Sequence, residues 1–443
     1  MRLTIVFLLC VSFAFSQSND SKIAYQFYQN GEYSKAIQIY KELSKGRKLI
    51  QYYYPYLQCL VLSEQFLEAK KLTNKIIRIN SSYIPYQVDL FMIYHKLSQF
   101  KQAEKTLQII KEKLENQDNQ LVNVSNTFSR YSFYREALGC YEYIEKQKKA
   151  SNKYYIQKAQ LYQYLSDDEN MVDNYLLYLS KNPNQKITII NYLQRYLDNN
   201  GIENDKNYNL VKNKLLRYSH NEKNTHVFSE LLIWIFMQNN EFKLAFLQSK
   251  ALDKRLKEDG ERVFDLSESF LDNEYFDLAI ECYEYIIDKG SDNYYYIDAH
   301  INLLYALGQK DDPDLIELNS LYRRTIEELG IDNNTVHLLN NYAHFTAFSM
   351  SDLTSARQIL ESIMDIPNLE NNDMGECKLV YADVMLLSGN IWSSLLYYSQ
   401  VEKEHKESPL GHEAKLRRAK IFYYQGDFNW AQSQLDVLKS STS

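Results

Sequence analysis

Between Ala24 and Leu43 apolar residues recur at helical intervals, break at Asn30-Gly31, and resume as Tyr33, Ala36, Tyr40 and Leu43. This predicts a helix, a tight turn permitted by Gly31, and a second helix packed closely on the first through the small Ala36. The pattern returns in Phe66-Leu-Glu-Ala69, Phe100-Lys-Gln-Ala103 and Tyr134-Arg-Glu-Ala137, with alanines 33, 34 and 34 residues apart. It appears again at Phe242-Lys-Leu-Ala245 and Phe276-Asp-Leu-Ala279, which are 34 apart. In the last third it is looser: Leu353-Thr-Ser-Ala356, Gly389-Asn-Ile-Trp-Ser-Ser394 and Gly426-Asp-Phe-Asn-Trp-Ala431.

The gaps between these blocks are close to whole multiples of the period. Ala137 and Ala245 lie 108 residues apart, and Ala279 and Ala356 lie 77 apart. They therefore hold degenerate helix pairs rather than linkers. Asn174 is expected at the alanine place of the fifth pair. A sixth pair spans 187–220 around Asn199-Asn200-Gly201. A ninth joins Tyr296–Leu307 to Leu315–Leu329 across Asp311-Asp312-Pro313, where proline suits a first helical turn. Twelve glycines and six prolines in 443 residues favour long helices with short connections over sheet.

Period, turn and residue types together resemble the tetratricopeptide repeat family. The resemblance implies an all-α solenoid of about twelve helix-turn-helix units, whose first helices line a concave groove that binds protein or peptide segments. The spacing, and the closing segment 426–443 above all, are similar to exported tetratricopeptide proteins of the Bacteroidota. The organisation read from this is a leader over 1–16, arrays over 17–180 and 335–443, a repeat pair over 226–290, and degenerate pairs over 181–225 and 291–334. In the last unit Phe428, Ala431, Leu435 and Leu438 are expected to pack on the preceding helix. Trp430 and Val437 would then face outward, as if the array continued past Ser443.

Composition narrows the partners. Net charge is −7, and no lysine–arginine run forms a basic stripe, which argues against nucleic acid and an anionic membrane surface. Arg2 followed by the apolar run Leu3–Phe15 and small residues at Ala14 and Ser16 reads as a secretory signal peptide, implying export to the periplasm or cell envelope. Cys59, Cys140, Cys282 and Cys377 lie in non-adjacent repeats, and in a solenoid each repeat touches only its neighbours, so they read as small buried or half-buried apolar residues.

No phosphate loop, dinucleotide fingerprint, nucleophile elbow or His-Glu-x-x-His pattern occurs in the sequence. His337 and His344 share a helical face and His405 and His412 flank Pro409, yet neither pair has a ligand set around it. The expectation is a protein without catalytic activity, cofactor or metal. Tyrosine is the unusual entry, with 39 residues and clusters such as Tyr52-Tyr53-Tyr54-Pro55-Tyr56. Counting back from the alanines, the family groove would be lined by Tyr25, Tyr28, Tyr54, Gln58, Met92, His95, Asn126 and Arg130. The lysine–asparagine carboxylate clamp of chaperone-tail-binding relatives is missing, with only Asn126 agreeing. Two readings follow. One is an interaction scaffold using this groove. The other is a structural envelope protein, associated with envelope complexes or itself, that packs through a convex, tyrosine-rich face.

Overall fold

The computed structural model describes residues 19–148, 153–198, 204–221 and 225–441. The leader expected over 1–16 and the turn expected at 199–201 lie outside them. The described residues form 24 α-helices and no strand. They fall into two compact units, Met1–Asn224 and Thr225–Ser443.

The first unit holds six helix pairs: α1 (residues 19–29) with α2 (Tyr33–Leu43), α3 (Leu49–Leu62) with α4 (Phe66–Ile79), and α5 (Pro85–Lys96) with α6 (Phe100–Asn116). Then come α7 (Leu121–Arg130) with α8 (Tyr134–Lys148), α9 (Tyr155–Tyr164) with α10 (Asp168–Lys181), and α11 (Lys186–Asp198) with α12 (Asn204–Asn221). The second unit begins with α13 (Thr225–Gln238) and α14 (Phe242–Leu256), α15 (Glu261–Asp272) and α16 (Phe276–Ile287), α17 (Tyr296–Gly308) and α18 (Leu315–Leu329). It ends with α19 (Val336–Phe348) and α20 (Leu353–Met364), α21 (Asn371–Leu387) and α22 (Ile391–Glu404), α23 (Pro409–Tyr424) and α24 (Phe428–Ser441).

One local device makes most of these hairpins. The first helix ends on a residue in the left-handed region, and the next N–H bonds back to a carbonyl five residues earlier. Examples are Glu32 to Phe27, Gln65 to Leu60, Gln99 to Tyr94 and Glu241 to Phe236. This satisfies carbonyls that would otherwise be orphaned at the helix end. Glycine supplies the left-handed residue at Gly31, Gly389 and Gly426, but Glu64, Ser98, Ser132, Ser166, Asn240, Glu274 and Ser351 occupy the same conformation. Five residues beyond each comes a fully buried residue: Ala36, Ala69, Ala103, Ala137, Met171, Ala245, Ala279, Ala356, Ser394 and Ala431. The second helix crosses the first there, so a small side chain sets the distance.

This register corrects one sequence expectation. Met171, 34 residues beyond Ala137, holds the alanine place; Asn174 lies a turn further on, its amide donating to the Asn170 carbonyl. A flexible thioether can fill a gap that most residues would strain. In the sixth pair the corresponding place falls to buried Asn207, which accepts from the Tyr196 hydroxyl at 2.8 Å. The connection at Asp312 is one residue longer, and Leu318 is buried there instead.

The core is a file of small clusters, each shared by consecutive hairpins. In the first unit, Phe91 sits edge-on to both Phe128 (5.3 Å) and Phe133 (5.1 Å), joining the third and fourth pairs. In the second, Leu339, Ala343, Ala356, Leu360 and Cys377 join the tenth and eleventh. All four cysteines of the described residues are buried free thiols, and burial pushes Cys59 up to about 11 and Cys140 up to about 12.

The last hairpin differs from expectation. Ala431 is buried, but Phe428 and Leu435 are exposed; Trp430 and Val437 are exposed as expected, the Trp430 ring lying against Phe422 (4.2 Å) beneath the Arg418 guanidinium. His412 lies inside helix α23, which Pro409 opens.

Candidate functional site

Helix α5 carries one carboxylate, Asp89, in the apolar run Ile84 to Ile93. A charge placed there needs partners, since an unpaired buried carboxylate is costly. Asp89 is fully buried and accepts from the Tyr53 hydroxyl of α3 at 3.0 Å and from the Tyr131 hydroxyl, just past α7, at 2.8 Å. Tyr53 also lies 3.1 Å from the Thr73 hydroxyl. One carboxylate therefore ties the first helices of the second, third and fourth pairs together.

Above it, the Arg130 guanidinium sits 5.5 Å from the centre of the Tyr54 ring, a cation–π contact between pairs two and four. Tyr83 and Tyr86 close the cluster, packing edge-on at 4.8 Å, while Tyr86 meets Tyr53 at 4.9 Å. Contact between next-but-one repeats departs from the nearest-neighbour expectation of a solenoid. It explains why Pro85 to Ile93 are buried on every side of α5.

Burial pushes the Asp89 carboxyl up to about 6, against the lowering effect of the Tyr131 and Tyr53 hydrogen bonds and of Arg130. Burial, followed by the Asp89 charge, holds the Tyr53, Tyr54 and Tyr131 phenols well above their usual range. These groups stay protonated and donate. They form a fixed polar floor rather than a set of activated nucleophiles.

The eight residues predicted to line a groove separate under this geometry. Tyr25 is 55% exposed, its hydroxyl accepting from Gln29 at 2.7 Å, and its ring stacks with half-buried Tyr28 at 6.2 Å. Gln58, Asn126 and Arg130 are exposed, and Tyr54 is half-buried. His95 is half-buried among Phe91, Phe100 and Phe133. Met92 is the exception: only 2% exposed, it belongs to the core, because the residues meeting over α5 cover it. Sequence reasoning passed over Asp89, Tyr53 and Tyr131. The available signal was Asp89 itself, a lone carboxylate in an apolar helix.

The tyrosines are placed differently from the convex-face expectation. Every described tyrosine on a second helix is buried or half-buried, as Tyr40, Tyr141, Tyr283 and Tyr398 show. The exposed ones, Tyr25, Tyr164, Tyr275, Tyr294, Tyr305, Tyr423 and Tyr424, lie on first helices or in connections. Ring-sized gaps between stacked hairpins draw the second-helix tyrosines inward.

Among the described residues no three His, Cys, Asp or Glu side chains are grouped to hold a metal, and no helix is long and apolar enough to cross a membrane. His337 lies 3.5 Å from Glu376, whereas His344 stacks on Phe348.

No family model and no curated protein sequence matches the chain. Among solved structures it is similar to yeast Tom70, at 12% identity over 96% of this chain and 92% of that one, with a TM-score of 0.35. It is similar to the APC/C Cut9–Hcn1 hetero-tetramer at 11% over 96% and 93%, TM-score 0.34. A tetratricopeptide repeat protein from Parabacteroides merdae matches at 14% over 67% and 96%, TM-score 0.30. Superpositions this loose carry no residue across. The repeated left-handed turn, the buried small residue five places on and the recurring 34-residue period give each unit a stack of helix-turn-helix repeats that resembles the tetratricopeptide repeat type.

Proposed function

We propose that this chain is a non-catalytic scaffold that holds an extended protein segment along the first-helix face of its N-terminal unit. The observation that carries this reading is the Asp89 cluster. It locks three first helices together and fixes Tyr54 and Arg130 beside exposed Gln58 and Asn126. Preorganised aromatic and amide groups suit an extended chain, because little ordering cost remains on the scaffold side. Phenols kept protonated offer hydrogen bonds without chemistry. The signal-peptide-like start, Arg2 with Leu3–Phe15, supports placing this activity in the cell envelope after export.

The test is replacement of Tyr25, Tyr28 and Tyr54 by alanine. None of the three is fully buried, so helix content should survive while partner capture from envelope extract falls about tenfold or more, as expected when aromatic anchors are lost. Unaltered capture by a folded triple variant overturns the reading. The self-associating alternative finds less support, since no described second-helix tyrosine is exposed.

A further inference from the structure

The second unit carries a first-helix face of different character. On α15 the outward residues Glu261, Asp265, Glu268 and Asp272 follow at spacings of four, three and four, one stripe of a helix, and all four are exposed carboxylates. Asp298 of α17, also exposed, lies close enough to act on Glu268. Burial, then Asp265, Asp272 and Asp298, push the Glu268 carboxyl upward. The neighbouring cations are engaged elsewhere: Arg262 with Glu230 and Glu258, Lys289 with Asp253, Lys310 with Asp277.

The stripe leads into a cleft. Asp298 and Tyr305 are seven residues apart on α17, hence on one face and about 10 Å apart along the axis. Tyr305, 45% exposed, stands on the rim of a cavity of about 320 Å³ between α17 and α19. Leu304, Leu318 and Phe345 form its apolar lining, with Asn341 and His344 as polar groups on the α19 side. A volume of this size accepts a large side chain, and an amide beside it can bond a partner's backbone.

We infer that the first-helix face of α15, α17 and α19 docks an extended basic segment of a partner protein, a large apolar or aromatic side chain entering the cleft and flanking lysines or arginines meeting the acidic stripe. The inference rests on the scaffold reading and adds a second contact face with a stated chemistry. Charge complementarity selects the occupant: five carboxylates whose neighbouring cations are paired with other groups repel an acidic tail or nucleic acid and draw cations. The cleft fixes position, because lysines alone would slide along the stripe.

The test uses the full chain and a fluorescein-labelled synthetic peptide alternating lysine and glycine around one tryptophan. Binding is read by fluorescence polarisation at about 0.05 and 0.5 M salt. The combined variant Asp265→Asn, Glu268→Gln, Asp272→Asn changes only exposed side chains and should weaken binding about tenfold while flattening its salt dependence. Replacing the peptide's tryptophan by glycine, or Tyr305→Ala, should also cost about tenfold. The inference is overturned if a glutamate version of the peptide binds equally well, or if the charge-neutral variant, with unchanged circular dichroism, binds like the parent. That outcome is distinct from failure of the scaffold reading, which the Tyr25, Tyr28 and Tyr54 variant reports independently in the other unit.

Discussion

Asp89 makes the sharpest energetic prediction. Its carboxyl is raised from 3.8 to about 6 by burial, so between those values the folded chain binds more protons than the unfolded one. Stability contributed by this group is therefore full below about pH 4 and declines as pH rises through 6. The shift corresponds to about 3 kcal/mol by neutral pH. Asp89→Asn removes the charge and keeps one carbonyl acceptor, while its amide can donate to the other phenol oxygen. The variant should lose stability at pH 4.5 through poorer geometry, by about 1 kcal/mol, and regain it against wild type by pH 7.5. Asp89→Ala should be worse throughout, by about 1–3 kcal/mol, because the Tyr131 hydroxyl loses its partner while Tyr53 retains Thr73. Hydrogen exchange read by mass spectrometry over residues 85–96, corrected for intrinsic rates at each pH, gives the local opening energies. Parallel pH profiles for wild type and Asp89→Asn would refute the buried, titrating carboxylate.

Other perturbations test the repeat geometry. Gly31→Ala should cost about 1 kcal/mol, whereas Ser98→Gly, at the equivalent left-handed position, should be neutral or stabilising by up to about 1 kcal/mol; urea midpoints followed by circular dichroism give the two signs. Met171→Ala restores the motif residue yet should destabilise by about 2 kcal/mol, because the thioether fills space that alanine leaves empty, and the same titration measures it. In the second unit Gly411→Ala would place a methyl carbon 2.2 Å from the His405 carbonyl oxygen. A loss of about 1–3 kcal/mol is expected, read by tryptophan fluorescence, since Trp234, Trp392 and Trp430 all belong to that unit.

The repeats were legible because a small residue is needed wherever two helices cross, and that need recurs with the period. Helices formed over 187–198 and 204–220, and over 296–308 and 315–329, without any motif, because apolar periodicity alone specifies a helix. Met171 escaped because a motif search looks for alanine, while the crossing requires only that the space be filled without strain. Met92 and Asp89 escaped for a deeper reason. Their burial depends on Tyr54 and Arg130 meeting across an intervening repeat, and the period encodes contacts between neighbours only. Tyrosine was legible as an excess but not by side, since a ring can enter a gap between hairpins or stand in solvent.

If partners bind along first helices, site-specific photocrosslinking from those helices should capture them. A benzophenone amino acid is placed at exposed Gln58 or Asn126 on first helices, and at exposed Leu67 on the second helix α4. After irradiation of cells producing each variant, protein adducts should form through Gln58 and Asn126 and not through Leu67. Adducts through Leu67 alone, or through none of the three, would contradict the account.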